Sequence, residues 1–247
     1  RVRGSKPSQT SGGERPGPAG AYAPGGMPSL VALQRSDLET AALKGLIFPI
    51  ENHTELINDA DKYDYASELE KIQGMPYGLT LAGDSLILVY RPALTKNSPE
   101  YWETIFNEAK PLGFPAGDPQ SLLPVLNYLS LGGIIQDEQN RPFINQDTVQ
   151  KVYEVYAEGA KLGVFPVKLV QLVSEQASWT AYKEQEYQIA VAWVSHYLSE
   201  LPPDSTANLI PSLGDVPYSI ADGWIWAVSE SSPERKEMAI NLAKFLM

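Results

Sequence analysis

The stretch Tyr77 to Pro92, YGLTLAGDSLILVYRP, holds two apolar runs on either side of one carboxylate. Leu79 to Ala82 reads as a short buried strand, and Leu86 to Tyr90 as a second run rich in β-forming residues. Gly83 frees the backbone just before Asp84, and a charge between two core strands is costly unless something pairs with it or water reaches it. Arg91-Pro92 ends the run, because proline has no N–H to give to a central ladder. The segment therefore carries one acidic side chain to a sheet edge or cleft and then leaves. An aspartate in an ordinary tight turn reads the same way, so the neighbouring segments have to decide.

The chain has 247 residues, 43% of them hydrophobic, enough for one large core or two modest ones. No apolar run approaches the ~20 residues that cross a bilayer. The opening Arg-Val-Arg-Gly lacks the apolar core of a signal peptide, so a fragment or a processed form is expected. Net charge is -11; residues 1 to 26 carry +3, which leaves -14 on the remainder. An acidic body speaks against nucleic acid and anionic membrane surfaces, where Lys and Arg supply most of the affinity. With no cysteine, disulfides, Cys-ligated zinc, iron–sulfur clusters and thiol nucleophiles are excluded.

Seven Gly and four Pro crowd residues 1 to 26, so 1–27 reads as an irregular or disordered tail. Leu30 to Leu33 then reads as a buried strand and Leu38 to Lys44 as a helix, with Ser36 or Asp37 as N-cap and Gly45 as the stop. Arg35, Ser36 and Asp37 thus fall at a strand's carboxyl end, where open α/β sheets bind ligands. Asn52 to Gln73 reads as irregular chain followed by a short helix, with His53 on its surface. Capped helices follow Pro92. One starts at Ser98-Pro99-Glu100, and another, capped by Asp118, runs through Leu126 to Gly132-Gly133. Gln146-Asp147 opens a helix that sets Val149, Val152, Tyr153, Tyr156 and Ala160 on one face. Trp179, Tyr182 and Tyr187 line a further helix.

Near the end, Ile189 to Val194 reads as a strand entering Ser195-His196-Tyr197, and Asp222-Gly223-Trp224 leads into the strand Ile225 to Val228. A last helix starts at Ser232-Pro233, with Met238, Leu242, Phe245 and Leu246 facing inward. Strands alternating with helices make the class α/β.

Catalysis is hard to build from these residues. There are two His, no Gly-rich phosphate loop, no GxSxG and no His-x-x-x-His metal pair, so neither metal nor cofactor is expected. Asp84, Asp118 and Asp222 could serve as a glycosidase pair, yet each has a local explanation as a turn or cap residue. The aromatic residues point elsewhere. Trp193, His196, Tyr197, Trp224 and Trp226 sit in or beside the last two strands, and Asp222 stands next to Trp224. Small-ligand clefts often combine a flat apolar face with a few carboxylates or amides that fix orientation. Large aromatics also fill cores, and Trp226 can do so.

The order of these segments resembles extracellular solute-binding proteins of sugar ABC transporters, of the maltodextrin-binding type. The marks are Leu-Val-Ala-Leu before a polar loop, YGLTLAGDSLILVY, FPAGDPQS, the Gly132-Gly133 helix end, IAVAW and ADGWIWAVSE, spread over Pro28 to Met247. The resemblance implies a two-lobed periplasmic-binding-protein-like fold of type II, with the first lobe incomplete. Part of that lobe falls in 28–92, and 93–247 forms the second lobe with a return segment toward the hinge. It implies ligand positions at Arg35, Ser36, Asp37, Asp84, Asp118, Gln120, Trp193, His196, Tyr197, Asp222 and Trp224. Gln120 stands where that family often stacks an aromatic residue.

The implied function is binding of a sugar or oligosaccharide and its delivery to a membrane permease, without chemistry. The implied setting is extracytoplasmic, with a lipid anchor on the full-length protein, and the implied state is a monomer. A polyamine suits the same carboxylates and aromatics. A glycoside hydrolase fragment and a rigid lectin-like module stay open as other classes.

Overall fold

The computed structural model describes residues 28–50, 62–139, 141–215 and 218–247. The tail over 1–27 and the surface position of His53 lie outside the described residues. Strand β1 (Leu30–Gln34) runs directly into helix α1 (Arg35–Leu43). Helix α2 (Asp64–Leu69) and a small hairpin, β2 (Lys71–Ile72) with β3 (Met75–Pro76), lead to the long strand β4 (Gly78–Tyr90). Then come α3 (Trp102–Glu108), β5 (Leu112–Gly113), α4 (Leu123–Ser130) and α5 (Gln146–Lys161). A 3-10 turn at Val167–Gln171 precedes α6 (Glu175–Lys183), β6 (Ile189–Trp193), α7 (Val194–Glu200) and β7 (Thr206–Asn208). The described chain closes with β8 (Ala221–Val228) and α8 (Pro233–Leu246).

The two apolar runs of the opening stretch are one strand of 13 residues. Gly83 and Asp84 make no turn, because β8 offers them ladder partners: Gly78 to Ser85 pair with Ala227 to Ala221, with one irregularity between Thr80 and Ala82. From Leu86 to Tyr90 the same strand pairs with β6, and its last three residues also pair with β7. The sheet order is β1-β8-β4-β6-β5 with β7 beside β4, so β4 belongs to both halves of the sheet.

The burial of β4 explains its composition. Leu86, Leu88 and Tyr90 pack into a core with Trp102, Ile105 and Leu112, while Ile87 and Val89 pack on the other face with Trp179 and Tyr182. A strand covered on both faces reads as an unbroken apolar run, which is what LILVY is. In the other half, Ile225 and Ala227 of β8 face Leu38 and Ala41 of α1, and Leu79 and Val228 face Ala239, Ile240 and Ala243 of α8. Gly78 lets β8 lie close: a Cβ there would stand 2.3 Å from Ile225 Cγ2 and 2.6 Å from the Trp226 carbonyl oxygen. Gly78→Ala is therefore expected to destabilise by about 2–3 kcal/mol, read by urea denaturation, because part of the obstacle is backbone.

Several sequence expectations are corrected. Helix α1 begins at Arg35 with Gln34 at the N-cap and no side-chain cap, so Ser36 and Asp37 lie inside its first turn. Helix α3 begins at Trp102 after Tyr101, not at Ser98 to Glu100. Leu122, not Asp118, sits at the N-cap of α4. Tyr187 follows the end of α6, where Gln185 turns the chain at φ 63. The strand expected over Ile189 to Val194 ends at Trp193, and Val194 already opens the helix that holds Ser195, His196 and Tyr197. On α8 the inward face is Ala239, Ile240 and Ala243, while Met238 and Phe245 are 69% and 85% exposed. Small residues win that face because they let the helix approach β8 closely.

Arg91, read as the end of a strand, is a buried clamp. Its Nε donates to Asp204 Oδ2 at 2.6 Å, and its other nitrogens donate to the carbonyls of Tyr187 at 3.3 Å and Tyr182 at 2.9 Å. Its guanidinium also lies 4.1 Å from the centre of the Tyr182 ring.

Candidate ligand-binding cleft

Antiparallel pairing sets Asp84 opposite Asp222, Gly83 opposite Gly223 and Ala82 opposite Trp224, with Gln34 of β1 on the far side of Trp224. Side chains alternate along a strand, so Asp84, Asp222, Trp224 and Gln34 share one face and the two glycines point to the other. On that other face Tyr65 of α2 lies against Gly83: a Cβ there would stand 2.3 Å from its hydroxyl oxygen. A Cβ on Gly223 would meet Leu69 at 3.0 Å. The glycines seat α2, and the carboxylates are thereby turned to the open face.

That face is a cleft of about 390 Å³, completed by Trp193 at the end of β6 and by Ser195 and His196 at the start of α7. Asp84 is not left unpaired. Its Oδ1 accepts the Ser195 backbone N–H at 3.1 Å and its Oδ2 accepts the Ser195 hydroxyl at 2.5 Å, which ties the first half of β4 to α7. Asp222 accepts the Gly223 N–H at 2.7 Å. Two carboxylates directly opposite in a ladder repel one another. Each therefore gains from a hydrogen-bond donor brought into the cleft. Trp224 is 47% exposed beside them, and His196 Nδ1 is buried with no hydrogen-bond partner among the described residues.

The cleft brings together Asp84, Trp193, His196, Asp222 and Trp224 from the positions singled out in the sequence. The others lie elsewhere. Arg35 donates to Glu39 at 3.0 Å and to the Lys71 carbonyl at 3.2 Å, while Ser36 and Asp37 are exposed on α1. Tyr197 packs against the core of Ile87 and Trp179 and donates to the Ser205 carbonyl at 3.3 Å. Asp118 accepts the Gln120 N–H at 2.9 Å within its own turn, and Gln120 is exposed. Trp226 packs beside Leu79, Val228 and the inward face of α8.

Two cleft residues escape a reading by chemistry alone, Gln34 and Ser195. Gln34 ends β1 directly opposite Trp224 of β8, a pairing that only the β1–β8 register reveals. Ser195 follows Trp193 by two positions and enters because β6 passes directly into α7 at Val194.

Asp118 has a neighbour of its own in Glu175. Burial first, and the Asp118 charge second, push the Glu175 carboxyl up to about 7. A carboxyl raised in the folded state favours folding while protonated, so this contribution is complete below the unfolded value and is lost as pH rises toward 7. Glu175→Gln is expected to raise the melting temperature at pH 8 and to leave it unchanged at pH 4.

No family model matches the sequence, and no curated protein matches it. Solved structures do. The sugar-binding protein MalE from Xanthomonas citri superposes with a TM-score of 0.72 at 17% identity, over 90% of this chain and 62% of its own. Maltose-bound MalE3 of Thermotoga maritima gives 0.70 at 17% identity, over 89% and 62%. A cyclo/maltodextrin-binding protein complexed with maltotetraose gives 0.70 at 19% identity, over 88% and 59%. The fold is that of the two-lobed solute-binding proteins. The chain spans between 59% and 62% of the length of these three structures. In this architecture the cleft lies where β4 passes from one half of the sheet to the other.

Proposed function

We propose that the chain binds a sugar or sugar oligomer in this cleft, without covalent change, and delivers it to the permease of an ABC transporter. The observation that carries the reading is the half-exposed Trp224 ring beside two opposed carboxylates at the crossing of β4. The ring offers its face to the apolar side of a pyranose, and Asp84 and Asp222 accept hydrogen bonds from its hydroxyls. Ser195 holds Asp84 in place for that contact. Ligand that touches both halves stabilises the closed arrangement by its differential affinity, with the β4 crossing and the entry to β8 as the flexing points. Delivery to a permease places the protein outside the cytoplasm, tethered by lipid in its full-length form and acting as a monomer. Solved structures of the same fold include maltose, tagatose and ribitol complexes, which supports a polyhydroxylated ligand.

Titration of intrinsic tryptophan fluorescence with mono- and oligosaccharides, followed by small-angle scattering, tests this. A saturable shift with one sugar and a smaller radius in its presence is the expected result. A saturable shift at constant radius would make the protein a rigid lectin-like module, and release of shorter sugars would make it a hydrolase. One observation favours a second ligand class: no Lys or Arg is among the described residues that line the cleft. A polyamine is therefore included in the panel, and saturation by it alone would replace the sugar.

A further inference from the structure

A second cavity, of about 490 Å³, lies between α4, α5 and the arm that joins them. The arm is held at several points. Gln136 bridges Pro142, Phe143 N–H donates to the Ile135 carbonyl at 3.0 Å, and Arg141 pairs with Asp137 at 2.6 Å. The Tyr128 hydroxyl fixes both ends, donating to the Ile134 carbonyl at 2.7 Å and accepting the Asn145 N–H at 2.8 Å. The cavity is thus built into the fold rather than formed by a loose loop.

Its floor is aromatic: Phe114 and Tyr128 are buried, and the Tyr156 ring stacks on Phe165 with centres 4.9 Å apart. Its walls leave Ile135, Ile144 and Tyr153 exposed, and none of its lining residues is charged. Apolar surface of this kind gains about 25 cal/mol for each Å² removed from water. One polar group at the floor keeps a proton to give. The Tyr156 hydroxyl accepts from Asn127 Nδ2 at 3.2 Å, and among the described residues nothing accepts its proton and nothing donates to Oδ1 of the fully buried Asn127. Burial holds the Tyr156 hydroxyl far above its ordinary range, so it stays a neutral donor.

We propose that this cavity is a separate binding site for a small uncharged aromatic molecule with one hydrogen-bond acceptor, the chemistry of an aryl ketone. Its rings lie among Phe114, Tyr128 and Tyr156, and its acceptor takes the Tyr156 proton. The volume falls in the range of small-molecule sites, about 300–1,000 Å³. A fatty acid fits less well, because its carboxylate meets no cation on the wall, and a sugar fits less well, because its hydroxyls outnumber the polar groups there. The site does not depend on the sugar-binding reading of the β4 cleft.

The test uses the full chain and Prodan, a neutral naphthyl ketone whose emission reports polarity. Saturable one-to-one binding with blue-shifted emission is expected, undisturbed by a saturating sugar in the cleft. Tyr156→Phe is expected to weaken Prodan about tenfold, the worth of one neutral hydrogen bond, while leaving N-phenylnaphthylamine, which lacks the ketone, unchanged. Val149→Trp fills the cavity and weakens both probes; Ile144→Glu, at an exposed position of the arm, does the same should the tryptophan variant fail to fold. Binding without saturation, or binding indifferent to Val149→Trp and Ile144→Glu, overturns the proposal. So does sedimentation in which Prodan is lost as dimers form, because the face then receives a second copy of the chain.

Discussion

Replacing Arg91 with methionine is expected to lower the free energy of unfolding by about 3–5 kcal/mol, measured by urea denaturation. Methionine fills much of the space, so the loss is electrostatic rather than a cavity. It removes three hydrogen bonds from a side chain only 5% exposed, together with the contact over the Tyr182 ring. It also takes from the Tyr187 carbonyl the donor Arg91 supplies, while the Tyr182 carbonyl keeps the Gln185 N–H at 3.0 Å, and a buried acceptor left unmade costs about 1–3 kcal/mol. Asp204→Asn is expected to lose less, since Asp204 is 48% exposed and its amide oxygen still accepts. The Arg91 hydrogen bond, its largest influence, holds the Asp204 carboxyl below the usual range. This stabilisation is therefore present above the ordinary carboxylate value and is lost as pH falls through the lowered one. An Arg91→Met variant that melts like the parent would show the clamp to be idle.

Trp224→Ala is expected to weaken the sugar that binds best by about a hundredfold in calorimetry, since truncating a central aromatic anchor costs at least about 2 kcal/mol. Its melting temperature should stay near that of the parent, because the ring is 47% exposed and β8 keeps its pairing with β1 and β4. Trp226→Phe should behave in the opposite way. That ring packs beside Leu79 and Val228, so its loss lowers stability and leaves affinity unchanged. If Trp224→Ala and the parent bind alike, the cleft on β4 is not the sugar site.

How much of this was legible in the sequence depends on how far each partner lies along the chain. The LILVY run identifies a strand buried on both faces, because burial on both sides removes polar alternation. Asp84 and Trp224 stand out by chemistry alone, one a charge in an apolar run and the other an aromatic beside a carboxylate. The tight turn that Gly83-Asp84 also allows is absent because Gly223, 140 positions on, pairs with Gly83. Arg91 reads as a stop because its partners are at 182, 187 and 204. Arg35, Ser36 and Asp37 look like a binding loop, yet β1 passes into α1 with no loop between them. On α8, side-chain size points to Met238, Leu242, Phe245 and Leu246 as the buried face, whereas close approach to β8 selects Ala239 and Ala243.

The shared strand has a consequence for how the chain matures. Among the described residues, β1 finds its ladder partner in β8, at positions 221 to 228, and the first half of β4 finds its partner in the same strand. The second half of β4 pairs with β6 and β7, all complete by residue 208. During synthesis from the N-terminus, one half of the molecule can assemble while β1 and residues 78 to 85 still wait, with open ladder edges. Closing that pairing late, over most of the chain's length, makes it the slow step of maturation. Until it closes, the chain carries two unpaired strand edges, the surface through which partly folded chains associate.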